Sequence, residues 1–129
     1  MKKNYLKVFF LLIMIVTIVG CSNNKTNVDD KLDSDIKIVV YDKDNTVVYN
    51  EEKTTSKKYL LDALKTFDDL KLETETGDYG EYIISINGKK QEDNHYWNYY
   101  INDEYASVGV SSYEIKENDI YTFKLEKFE

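Results

Sequence analysis

Leu60-Leu61-Asp62-Ala63-Leu64-Lys65-Thr66-Phe67 is the one segment of the soluble part of this sequence with a helical period. Leu60, Ala63, Leu64 and Phe67 recur at i, i+3, i+4 and i+7, which is one apolar stripe. Thr54-Thr55-Ser56 just upstream offer side-chain oxygens as N-caps, so the spacing predicts a helix over 57–67. The segments on either side alternate with a period of two instead, the mark of strands.

Upstream, Ile36, Ile38 and Val40 alternate with Lys37, Val39 and Tyr41. Asp42-Lys43-Asp44-Asn45 has turn chemistry, and Thr46-Val47-Val48-Tyr49 returns as the second strand of a hairpin. Downstream, Leu70, Leu72 and Thr74 alternate with charged neighbours, and Gly77-Asp78-Tyr79-Gly80 reads as a turn. Glu81 to Ile86 places Tyr82, Ile84 and Ile86 on one face. Asn87-Gly88 is a two-residue hairpin signal, because both positions accept positive φ. Trp97, Tyr99 and Ile101 share one face of the next strand, and Tyr96, Asn98 and Tyr100 share the other. Residues 105–110 can pair back, and Tyr121, Phe123 and Leu125 alternate through a final strand. A hairpin, a helix and then several strands predict an α+β fold. The expected architecture is a β-grasp-like (ubiquitin-like) mixed sheet with one packed helix.

The N-terminus carries a different signal. Met1-Lys2-Lys3 and Lys7 precede an apolar run from Val8 to Val19 that is 12 residues long. A spanning helix needs about 20. The run ends in Ile18-Val19-Gly20-Cys21, which resembles the lipobox of bacterial lipoproteins. Residues 1–20 are therefore expected to be a lipoprotein signal peptide, with Cys21 lipidated as the first mature residue. Residues 21–35 are polar and aperiodic, and read as a flexible tether reaching about 20 Å. Residues 36–129 form the domain. The expected location is extracytoplasmic, anchored to the cell membrane through lipid on Cys21.

The chain of 129 residues carries a formal charge of −7 and no arginine. Without the three lysines of residues 1–20, 14 Lys face 24 acidic residues, a charge of −10. Phosphate contacts need cationic side chains, so nucleic acid is excluded as a partner. Cys21 is the single cysteine, which rules out an internal disulfide or a Cys-based zinc site. Asp93 and His95 make at most a two-ligand fragment, and no metal site is assigned. Asp42-Lys43-Asp44-Asn45-Thr46 starts like a calcium loop but has Val47 where Gly is needed and Lys53 where Glu is needed, so it reads as a turn. One histidine and no activated serine leave no triad, and no enzyme activity is expected. Asp68-Asp69, at a predicted helix C-terminus, is electrostatically unfavourable there and has no functional reading.

Trp97, Tyr99, Tyr100, Tyr105 and Tyr113 are the densest aromatic set. The period of Trp97 matches Ile101, which places Trp97, Tyr99 and Ile101 in the core beneath the helix. Tyr96 and Tyr100 fall on the opposite, exposed face. Tyr96, Tyr100, Tyr105 and Tyr113 are the candidate ligand-binding residues.

Leu60-Leu61-Asp62-Ala63-Leu64 followed by Tyr82-Ile83-Ile84-Ser85-Ile86-Asn87-Gly88 resembles the first half of the DUF4430 family. Trp97-Asn98-Tyr99-Tyr100-Ile101-Asn102 is similar to its signature strand, and Asn118-Asp119-Ile120-Tyr121-Thr122-Phe123 to its closing strand. Asn102-Asp103 and Asn118-Asp119 stand where the family has Asn-Gly and Gly-Asp, substitutions that tolerate left-handed backbone. The family is similar to the C-terminal β-domain of the vitamin B12 carriers transcobalamin and intrinsic factor. The resemblance implies a β-grasp-like fold and a non-enzymatic role in holding a small ligand, with cobalamin as the ligand by analogy only and a part in nutrient uptake. The alternative expectation is a cell-surface adaptor that docks a membrane or cell-wall protein.

Overall fold

The computed structural model describes residues 33–128. The signal segment, Cys21 and the tether as far as residue 32 lie outside the described residues. The element order is β1 (Ser34–Tyr41), β2 (Val47–Thr55), helix α1 (Leu60–Leu64), a 3-10 turn (Asp68–Leu70), β3 (Glu73–Gly77), β4 (Gly80–Ile86), β5 (Lys89–Lys90), β6 (His95–Ile101), β7 (Glu104–Tyr105) and β8 (Ile120–Lys127). The fold is a small α+β domain, mostly strand, as its periodicities predict.

A five-stranded sheet has the order β2-β1-β8-β6-β7. Its β1 and β8 are parallel, with Ile38 beside Tyr121 and Val40 beside Phe123, and its other pairs are antiparallel. A separate antiparallel sheet, β3-β4-β5, accounts for the rest. Alternation decides what each strand buries. Ile36, Ile38 and Val40 face inward from β1, and Tyr121, Phe123 and Leu125 from β8, all buried. All of these but Leu125 join Leu60, Leu61, Leu64, Leu70, Ile83 and Ile86 in one core. Full burial of each such side chain contributes roughly 1.5–3 kcal/mol.

The helix is shorter than its stripe suggests. It spans Leu60–Leu64 rather than 57–67, with Tyr59 in the N-cap position and no side-chain cap. Thr54 and Thr55 pair with Asp35 and Ser34 in the β1–β2 ladder; the Thr54 hydroxyl donates to Asp35 at 2.7 Å and the Thr55 hydroxyl accepts from the Lys57 N–H at 3.1 Å, ahead of the helix start. That pairing also moves the first ordered strand residue back to Ser34, inside the expected tether. Tyr59 is held extended, bridged to Glu114, and the Ile115 N–H donates to the Lys58 carbonyl at 2.9 Å. At the other end, i→i+3 bonds from the Thr66 and Phe67 N–H groups tighten the turn and end the helix. Five residues cannot sustain a helix alone. Here the Leu60 and Leu61 N–H groups donate to the carbonyls of Tyr113 and Val110, and Leu60, Leu61, Ala63 and Leu64 are buried.

Two further expectations are corrected. Ile83 and Ser85, not Tyr82 and Ile84, are the buried side chains of β4, together with Ile86. Tyr82 turns outward, where its hydroxyl donates to Glu75. Ile86 is drawn in because Asn87 is pinned next to it: its backbone N–H donates to the Leu70 carbonyl at 2.8 Å, and its side-chain amide to the Val48 carbonyl at 3.0 Å. After β6, only Glu104–Tyr105 pairs back, and the chain then leaves the sheet. The turns behave as their residues suggest. Asn87 and Gly88 both have positive φ, as do Asn102 and Asp103, the arrangement a tight two-residue hairpin needs.

Candidate functional site

The two faces of β6 lead to different surroundings. On the inner face, Tyr99 stacks on Phe123 with ring centroids 5.7 Å apart and planes 19° from parallel. Its hydroxyl donates to the Val108 carbonyl, and burial pushes that hydroxyl's pKa up to about 12. Trp97, two residues earlier, is fixed by two groups. Its backbone N–H donates to Gln91 Oε1 at 3.0 Å, and its indole N–H to the Lys89 carbonyl at 3.2 Å. Both residues were expected beneath the helix. Both are partly buried and pack against the core, and their outer parts form one wall of a cleft of about 640 Å³.

The other walls come from two further segments. One is the β3–β4 hairpin, Gly77 to Ile83, and the other is the loop from Tyr105 to Val110. The two segments meet beside Gly80, where a Cβ would lie 3.0 Å from Ser111 Oγ, and Gly80 has φ +111. Glycine lets the hairpin turn tightly and approach the loop closely. Tyr79, at the hairpin tip, is fully exposed, and Tyr82, Tyr105 and Val108 are also exposed. Four of the exposed large apolar side chains thus gather around one cleft. That is the pattern of a binding site rather than of scattered surface residues. The lining has no lysine, histidine or arginine. Its charged residues are Asp78 and Glu81, and Glu81 is already held by Lys65 at 2.6 Å and by the Thr74 hydroxyl. Lys65 accordingly holds the Glu81 carboxyl below the usual range.

The outer face of the five-stranded sheet carries three of the four predicted aromatics. Tyr96 is exposed and meets Phe128 edge-on at 6.2 Å. Tyr100 meets Tyr105 edge-on at 5.6 Å, lies 4.9 Å from Lys124 Nζ, and donates its hydroxyl to Glu126 at 2.8 Å. Partial burial, then that carboxylate, pushes the Tyr100 pKa up to about 12. Tyr105 is 66% exposed and also borders the cleft. Tyr113 is elsewhere. It packs edge-on against buried Tyr121 at 5.8 Å and donates to Asp119 at 2.8 Å.

Asp119 is 4% exposed and has no cationic partner in its network. It accepts from Asn102 Nδ2 at 2.9 Å and from the Tyr113 and Tyr121 hydroxyls, each at 2.8 Å. Burial disfavours its charge, but these donors together outweigh it and hold the carboxyl below the usual range. Burial and the Asp119 carboxylate both push the Tyr121 hydroxyl strongly upward.

His95 sits at the start of β6 behind the positive-φ pair Asp93-Asn94, with Nδ1 3.0 Å from the Asp93 carbonyl. Asp42 Oδ1 accepts from the backbone N–H groups of Asp44 and Thr46, so that loop is the hairpin turn its composition suggests. No cluster of three or more His, Cys, Asp or Glu placed to hold a metal occurs among the described residues. The cleft residues that sequence reasoning missed include Asp78, Tyr79, Tyr82, Gln91 and Val108. The available signal was a tyrosine at the tip of a glycine-flanked turn, where packing gives it no role.

The fold has solved counterparts. A candidate metal-binding protein from Ruminococcus gnavus ATCC 29149 aligns with a TM-score of 0.68 at 20% identity, over 74% of this chain and 99% of that one. Haptocorrin in complex with Cbi aligns with a TM-score of 0.60 at 22% identity, over 74% of this chain but only 26% of haptocorrin. At such identities the likeness is one of fold. No curated protein matches the sequence. Residues 57–127, more than half of the chain and all of the segment from the helix to the last strand, match a domain of unknown function, and the chain belongs to that family, DUF4430.

Proposed function

We propose that this domain is a non-enzymatic small-molecule-binding module, held outside the cell membrane by lipid on Cys21 and serving uptake of its ligand. The observation that carries the reading is the aromatic-walled cleft of about 640 Å³ between Trp97, Tyr99 and the β3–β4 hairpin. Its size lies within the range of ligand pockets. The structural counterparts support binding over catalysis: one is a candidate metal-binding protein, the other was solved in complex with Cbi. The lipobox-like Gly20-Cys21 supports the anchor.

Trp97 is the only tryptophan, so its fluorescence reports on this wall alone. Titration of the protein with cobinamide, cobalamin and a panel of other vitamins should change that fluorescence for at least one compound. No change across the panel, with no thermal stabilisation by any compound, refutes the reading.

The exposed Tyr96, Phe128 and Tyr105 on the outer sheet face favour a second reading, a protein-docking surface. A photocrosslinker at Tyr96 on intact cells should then trap one membrane or cell-wall protein reproducibly.

A further inference from the structure

We propose that the cleft selects an organic cation, a ligand with an apolar body and a quaternary or protonated amine. The inference rests on the ligand-binding reading above and deepens it. Three observations converge. First, the wall is aromatic: Trp97 and Tyr99 are fixed by hydrogen bonds, and Tyr79 and Tyr82 stand exposed at the mouth. Aromatic faces carry negative charge density and attract cations, most strongly where water is displaced. Second, the lining has no cationic side chain to repel such a ligand or to pair with an anionic one. Third, the two lining carboxylates differ in availability. Glu81 is satisfied by Lys65 and Thr74, whereas the exposed Asp78 carboxylate, next to Tyr79 at the hairpin tip, makes no side-chain hydrogen bond or ion pair among the described residues. Asp78 is therefore the charge available to an incoming ammonium group. The chain's net charge of −7 adds a general attraction for cations and repulsion of anions.

An anion would enter this cleft with no donor side chain of opposite charge. A neutral ring would gain the apolar contacts but leave the Asp78 charge unused. Only a cation uses both.

The test compares benzyltrimethylammonium, benzyl alcohol and benzoate, three probes that share a ring and differ in charge, by Trp97 fluorescence of the full-length protein in a non-ionic detergent. The cation should bind about tenfold more tightly than benzyl alcohol, and benzoate should bind most weakly. Asp78→Asn, at an exposed turn, should weaken the cation several-fold and leave benzyl alcohol unchanged. Tyr79→Ala should weaken the cation as well. Benzyl alcohol binding as tightly as the cation, or an Asp78→Asn variant with unchanged cation affinity, overturns the cation assignment and leaves the cleft as a binding site. Absence of binding by all three probes, together with silence of the vitamin panel, removes the site itself.

Discussion

Asn102 is bonded to Asp119 across the sheet: its amide donates to Asp119 Oδ1 at 2.9 Å, and its side-chain oxygen accepts from the Ile120 N–H at 2.8 Å. The pair ties together two turns, one between β6 and β7 and one before β8. Both turns use left-handed backbone, with φ of 50° at Asn102 and 64° at Asn118. The Tyr113 and Tyr121 hydroxyls and the Lys116 backbone N–H complete the set of donors around Asp119.

Asp119→Asn keeps the shape but removes the charge that these donors stabilise. It should destabilise the domain by about 1–3 kcal/mol at pH 7. The carboxyl is held below its ordinary value in the folded state, so its contribution is present above the unfolded pKa of about 3.9 and is lost as pH falls through the folded value. The stability gap between wild type and Asp119→Asn should therefore narrow as the pH drops below about 4. Urea denaturation at pH 7 and pH 3 checks this, and a gap that is constant with pH would count against the account.

Gly80→Ala should destabilise by about 1–2 kcal/mol, because a Cβ at φ +111 is strained and would also crowd Ser111. Gly109→Ala is the control. No neighbour lies within 4 Å of a Cβ there, and no unusual φ is required. Thermal denaturation of the two variants should separate them clearly.

Leu64→Ala removes a fully buried side chain from the short helix and should cost about 2–5 kcal/mol. Five helical residues have little intrinsic stability, so loss of packing also loosens the helix. Faster amide exchange at Leu64 and Lys65 than in β1 of the same variant would show this.

Asp69→Ala should cost less, up to about 1 kcal/mol. Asp69 accepts from Lys53 Nζ at 2.8 Å and the Tyr49 hydroxyl at 2.9 Å, but its side chain is half exposed. Lys53, first among its partners, holds its carboxyl below the usual range. Chemical denaturation of Asp69→Ala and of Tyr49→Phe should give small losses, the former reduced by salt.

Cys21→Ser should abolish incorporation of labelled palmitate in cells and release the protein from the membrane fraction. Retention of label by this variant would exclude Cys21 as the anchor.

Element types were legible wherever one strong period ran uninterrupted. Ile36, Ile38 and Val40, and Tyr121, Phe123 and Leu125, declare their inward faces because alternate side chains of a strand point to opposite sides. Asn87-Gly88 and Asn102-Asp103 declare their turns because few residues accept positive φ at both positions. Boundaries were less legible. Thr54, Thr55 and Ser56 have the composition of a helix cap, but strand pairing with a segment 20 residues away claims the two threonines first. The same holds for Asp68-Asp69: placed badly for a helix dipole, Asp69 has its reason in Lys53 and Tyr49, which only the folded chain brings to it.

By itself, the order of apolar residues along this chain determined an α+β domain with one helix, because burial of alternating and 3.6-period stripes is a local property of the sequence. It also determined the acidic charge and the single tryptophan. Only the tertiary structure decided that Trp97 and Tyr99, packed against the core, also wall a cleft, that Asp78 and Tyr79 stand at its mouth, and that Tyr113 turns away to a buried carboxylate. Those placements depend on which distant segments cover each face of the sheet, and no spacing along the chain records that.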